Sequence, residues 1–203
     1  MGLTFCKKDK EVIIENPPIV PDSIIYTDLI PDTSVCSIRN NWPLADLPPP
    51  WDTSASIQLD VDSDNINDIS ISASIFYQFL SASNPDVNYT RYLEIGMIRV
   101  TDSLASYAYQ WCSSIPRVFP KDSIIGINST YSKGGYLYSS GGDSEPCSSA
   151  TTGDSYCGFK IYGNGGYYYG WILLKRSGSV KVTVKEFAIN KTINNSIKAG
   201  QKN

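Results

Sequence analysis

The chain has no histidine and, among its 203 residues, only five glutamates: Glu11, Glu15, Glu94, Glu145 and Glu186. The first absence removes the commonest general base and with it any Ser-His-Asp arrangement. The second leaves little material for a paired-carboxylate glycosidase. Glu94, in Arg91-Tyr92-Leu93-Glu94, is the one strand-borne candidate, and alternation can equally turn it toward solvent, so an enzyme is the weaker class. Without histidine and without CxxC spacing a zinc site is poorly supported. No Lys/Arg-rich stretch interrupts a balance of 17 basic to 20 acidic residues, which argues against nucleic acid as a partner. No segment approaches the apolar length needed to span a bilayer, and helix-forming Ala/Leu/Glu runs are missing. What remains, rich in Ser, Thr, Asn, Gly and Tyr, has the balance of an extracytoplasmic β-protein.

One constellation carries specific chemistry. Residues 60–68 read Asp60-Val61-Asp62-Ser63-Asp64-Asn65-Ile66-Asn67-Asp68, with carboxylates at loop positions 1, 3, 5 and 9. Calcium takes about six to eight oxygens at roughly 2.3–2.6 Å, and acidic residues at every second position can converge on it if the backbone turns sharply between them. Asp60, Asp62 and Asp64 would supply side-chain oxygens, Ile66 its carbonyl, and Asp68 an oxygen directly or through water. The spacing resembles the D-x-D-x-D-G-x-x-D calcium loops of dockerins, thrombospondin type 3 repeats and FG-GAP repeats. Position 6, usually glycine, is Asn65, the next residue best able to adopt positive φ. The helical EF-hand pattern wants a glutamate where Ile71 stands. Both flanks alternate or are β-branched, as in Ile69-Ser70-Ile71-Ser72-Ala73, so the loop is expected to join two strands. A metal-free acidic turn is the competing reading, because Asp, Asn and Ser are ordinary turn residues.

The rest of the chain divides into a tether over 1–22, with Pro17, Pro18 and Pro21, and a single domain over 23–203. Strands are expected near 24–26, 54–61, 69–80, 91–101, 105–112, 123–127, 135–139, 157–162, 167–175 and 179–189. Gly163-Asn164-Gly165-Gly166 and Arg176-Ser177-Gly178 would form hairpin connections of positive φ. Many short strands at turn-punctuated intervals predict an all-β, antiparallel β-sandwich of jelly-roll or concanavalin-like type.

Four cysteines, Cys36, Cys112, Cys147 and Cys157, lie within the domain and permit three pairings. Cys147 and Cys157 bracket a Ser/Gly/Thr-rich loop that a disulfide would staple, and pairing them leaves Cys36 with Cys112. Cys6 stands apart: Leu3-Thr4-Phe5-Cys6, followed by Lys7-Lys8-Asp9-Lys10-Glu11, resembles a lipoprotein signal end in which the cysteine is acylated. That resemblance implies a domain held by an N-terminal lipid anchor, on the outer-membrane surface of a Gram-negative cell, with the whole globule in water.

The C-terminal third carries another resemblance. Tyr169-Gly170-Trp171-Ile172, then Val184-Lys185-Glu186-Phe187-Ala188 and finally Ile197-Lys198-Ala199-Gly200 look like the closing strands of secreted or lipid-anchored bacterial β-sandwich proteins that carry a D-x-D-x-D-x-x-D loop in their first half. The resemblance implies location and fold rather than activity. Alternation puts Tyr167, Tyr169 and Trp171 on one face, read as core, and Tyr168 on the other, read as surface. Rings left exposed could stack on sugars, and the candidates are Trp42, Trp51, Tyr136, Tyr138 and Tyr168. The expectation is a calcium-stabilised, disulfide-stapled domain at the cell surface that binds an extracellular glycan or protein. A surface structural protein without a small ligand and a carboxylate-dependent glycoside-active enzyme are the alternatives.

Overall fold

Period-two alternation of apolar and polar residues dominates this sequence, and strands are what it forms. The structure, a computed structural model, describes residues 23–36, 53–81, 88–107, 115–140, 153–177 and 181–203. The long strands are β1 (Ile24–Cys36), β2 (Thr53–Leu59), β3 (Ile69–Ser81) and β4 (Asn88–Tyr107), then β8 (Tyr131–Ser140), β9 (Asp154–Gly163), β10 (Gly166–Ser177) and β11 (Lys181–Asn190). Between them lie β5 (Ile115–Pro116), β6 (Val118–Phe119) and β7 (Ile124–Ile125), and β12 (Ile197–Lys198) follows. No helix occurs among the described residues, so the chain is all-β, as expected.

The main sheet runs β1-β11-β10-β9-β4-β3-β2, with β5 and β8 also on β4 and β6 on β9, and its pairs are antiparallel. At the other end of this order β1 lies close to β2 and β3, so a single sheet rolls over on itself and nearly closes, an arrangement consistent with the expected sandwich. The strand expected at 91–101 and the described start of the one expected at 105–112 are continuous: β4 leaves β8 after Arg99, pairs Ser103 and Leu104 with Lys160 and Phe159 of β9, and returns to β8 at Leu104.

Inside the roll, alternate residues of each strand meet in one core. It contains Ile57 and Leu59, Ile69, Ile71 and Ala73, Ile98, Val100 and Leu104, and the β9–β11 residues Cys157, Phe159, Ile161, Tyr168, Ile172, Leu174, Val182, Val184, Phe187 and Ile189. In β11 the inward residues skip from Val184 to Phe187. Opposite them Leu173 pairs with Glu186 but Leu174 with Val184, so Lys185 is an extra residue, and this β-bulge restores the inward phase. Gly170 keeps β10 flush with the core, since a Cβ there would lie 2.2 Å from Phe159 Cζ and 2.7 Å from the Ala188 carbonyl oxygen.

The outer side of β10 is buried as well. Tyr169, Trp171 and Leu173 pack with Phe119, Ile125, Ala188, Ile197 and Ala199 beneath the β7–β12 ribbon. Trp171 Nε1–H donates to the Gln201 carbonyl at 3.0 Å, and Tyr156 meets the indole edge-on at 5.3 Å, so the C-terminal residues close a second apolar cluster. Alternation had assigned Tyr168 to a solvent face. In the rolled sheet that face is the interior, and Tyr168 is only 4% exposed.

Candidate metal centre

Leu59 and Ile69 are paired at the end of the β2–β3 ladder, so residues 60–68 close a hairpin between two core strands. The loop is pinned at three points. Val61, between the first two aspartates, is fully buried. Asp68 N–H donates to the Leu59 carbonyl at 2.8 Å, and the Asp68 carbonyl accepts from Thr101 N–H at 2.8 Å and Thr101 Oγ1 at 3.0 Å.

Around these anchors the backbone wraps the Asp60 carboxylate. Its Oδ1 accepts from the N–H groups of Ser63 at 2.8 Å and Asp64 at 3.2 Å, and its Oδ2 from that of Asn65 at 2.7 Å. Such a wrap needs left-handed residues, and Asn65 supplies one at φ 69°, as the missing glycine required. Ser63 supplies a second at φ 64°, which no residue preference announced.

The wrap brings Asp60, Asp62 and Asp68 together, each offering a carboxylate oxygen within 4.8 Å of the others. This group could hold a metal ion, and its donors are all hard oxygens. Asp68 Oδ2 accepts from Val61 N–H at 2.9 Å. Burial, followed by the charges of Asp62, Asp64 and Asp60, pushes the Asp68 carboxyl up to about 6 against the single opposing N–H. Asp62 Oδ2 receives the Lys191 ammonium at 3.0 Å, whereas its Oδ1 is buried and has no hydrogen-bond partner among the described residues. A buried, unpaired carboxylate oxygen is costly, and a cation at the cluster would satisfy it. Asp64 stands outside the group of three, with Oδ1 accepting from Ile66 N–H at 2.8 Å. The Ile66 side chain is 62% exposed at the loop tip.

Other expected site residues are placed differently. Cys157 points into the main core from β9 and Cys36 is exposed at the end of β1, and both are free thiols. Neither takes part in a disulfide among the described residues, and burial pushes the Cys157 thiol up to about 12; the partners expected for them, Cys147 and Cys112, lie outside the described residues. Cys6, Trp42, Trp51, Cys112 and Cys147 lie outside the described residues. Tyr136 is half-buried on β8, and Tyr138 sits on the same strand opposite Gly96. Tyr168 is withdrawn as a stacking surface, since its ring lies in the core and its hydroxyl accepts from Asn164 Nδ2 at 2.7 Å. Sequence reasoning missed Lys191, which lies 129 residues from Asp62 and which no local pattern links to the loop. The chain matches no protein-family model, no curated protein and no solved structure.

Proposed function

We propose that this protein is a calcium-stabilised β-domain of the cell exterior, tethered through acylated Cys6, whose rigid rolled sheet presents a surface for adhesion or for binding an extracellular glycan or protein. The observation that carries the metal reading is the buried, unpartnered Asp62 Oδ1 within the Asp60/Asp62/Asp68 group. Calcium fits better than its competitors. Zinc prefers nitrogen and sulfur ligands, of which this loop has none, and magnesium demands near-ideal octahedral geometry, which a hairpin loop does not impose. The Ile66 carbonyl, the Asp64 carboxylate and waters would complete the shell. Extracellular calcium modules bind on the order of 10⁻⁴–10⁻³ M, a range that is filled outside cells and empty within them. That difference supports an exported domain independently of any disulfide.

A second reading, a surface structural protein without a small ligand, gains from the burial of Tyr168, which removes one ring from the candidate sugar-stacking set.

The test is thermal unfolding of the full chain in EGTA and in excess calcium. A ligand specific for the native state at a hundred times its Kd adds about 2.7 kcal/mol. For a domain of this size the midpoint should then rise by roughly 5–10 °C. An unchanged midpoint would remove calcium from the proposal.

A further inference from the structure

Lys191 reaches the loop from the far end of the chain. It directly follows β11, and its backbone N–H donates to the Ser23 carbonyl at 2.6 Å, which fixes the residue beside the start of β1. From there the side chain crosses the Tyr168 ring at 4.8 Å. The ammonium then meets Asp62 Oδ2 at 3.0 Å and the Asp62 carbonyl at 3.4 Å. The Lys191 side chain is 30% exposed and that of Asp62 11%, so this pair is only partly screened by water. The positive charge belongs to the scaffold rather than to the loop. It uses one oxygen of Asp62 and leaves Oδ1 buried and unpartnered among the described residues.

We infer that Lys191 is a resident counter-ion that sets the calcium threshold of the loop. The inference rests on the calcium reading above and adds its regulation. Without metal, the ammonium neutralises part of the acidic cluster and keeps the loop docked against β11. With metal, the same charge opposes the divalent ion, because two like charges a few ångströms apart repel even in a medium of high dielectric constant. The site is thereby weakened toward the calcium concentrations found outside cells. Lys191 acts here as a positioning and tuning residue and not as a ligand.

The experiment is calorimetric titration of EGTA-stripped full chain with calcium chloride, for the wild type, Lys191→Gln and Lys191→Arg. Glutamine keeps a hydrogen-bond donor for Asp62 and removes the charge, whereas arginine keeps the charge. Lys191→Gln should bind calcium roughly tenfold more tightly, and Lys191→Arg should stay within about twofold of wild type. Equal or weaker binding by Lys191→Gln overturns the inference while leaving the metal site intact, as does an equal tightening in Lys191→Arg. Absence of binding in the wild type overturns the calcium reading itself and this inference with it. Should Lys191→Gln fail to fold, acetylation of the Lys191 amine in the wild type, read by mass spectrometry, decides the matter. Calcium should speed the labelling by loosening the amine's hold on Asp62, and an unchanged rate overturns the inference.

Discussion

Lys202 and Lys191 both extend from the C-terminal segment to an acidic group, yet the two groups end in opposite electrostatic states. At the Glu186 site the charges balance. Glu186 Oε2 accepts from Tyr26 OH at 2.6 Å and from Lys202 Nζ at 2.6 Å, and Lys202 Nζ also donates to the Tyr26 hydroxyl at 2.8 Å. Burial would raise the Glu186 carboxyl, but the hydrogen bonds from Lys202 and Tyr26 together outweigh it and hold the group below its ordinary value. At the loop one ammonium pairs with Asp62, in a group that also holds Asp60 and Asp68 with Asp64 nearby, and burial plus mutual repulsion drive Asp68 the other way, to about 6. An acid that meets its own cation and donor is structurally complete. Acids that outnumber their internal cation could be completed by an external one, and of these two sites the loop is in that position.

The largest expected effect comes from removing the surplus charge. Asp68 is 7% exposed, and its folded-state value of about 6 exceeds the ordinary 3.8, so the metal-free folded protein holds more protons than the unfolded chain. The stability this provides is full below about pH 4 and is lost as pH rises through about 6, on the order of 2–3 kcal/mol. Calcium should abolish or reverse that slope, because it binds the ionised form. Asp68→Asn keeps an acceptor for Val61 N–H and discards the charge. In EGTA near pH 7.5 it should therefore be more stable than wild type by roughly 2 kcal/mol, while losing its calcium response. Urea unfolding with and without calcium checks both halves, and a metal-free variant no more stable than wild type would break the contrast between the two sites.

The balanced site gives the counterpart. Glu186→Gln leaves Lys202 without its ion pair, but Lys202 is 48% exposed, so screening should limit the loss to about 1 kcal/mol. Calcium affinity should not change. Urea unfolding and calorimetry of this variant would sharpen the comparison, since an altered calcium affinity would mean that the two charge clusters are coupled through β11.

Much of this arrangement was legible in the sequence wherever the determining contacts are local. The Asn164-Gly165 turn has φ of 51° and 85°, and its flanking strands pair from Gly163 opposite Gly166 onward, as a two-residue hairpin signal implies. The β2–β3 hairpin and the positive φ of Asn65 follow from the same kind of signal. Alternation along β10 was also visible, but period two tells only which residues share a face, not what covers it. The inward burial of Tyr168 depends on closure of the roll, and the outer burial of Tyr169 and Trp171 depends on a ribbon built from residues 124–125 and 197–198. The free state of Cys157 and the arrival of Lys191 at Asp62 are likewise long-range outcomes. They depend on the strand order and on β1 closing against β2 and β3, an arrangement that no window of the sequence contains.

The smallest expected effect is that of Asn65→Gly, which separates backbone from side chain inside the loop itself. Asn65 lies at φ 69°, and its contribution to the wrap is its N–H, 2.7 Å from Asp60 Oδ2, a donor that any residue other than proline provides. Glycine reaches this conformation without steric cost but has more freedom to lose on folding. Asn65→Gly should therefore fall within about 0.5 kcal/mol of wild type and bind calcium equally well. Valine must enter the left-handed region with a branched Cβ, a conformation that costs roughly 1–2 kcal/mol, so Asn65→Val should lose about that much stability and bind calcium more weakly. If calorimetry finds the glycine variant as impaired as the valine one, the Asn65 amide rather than its φ matters, and the loop is held by a side-chain contact instead of by the turn that gathers the N–H groups on Asp60.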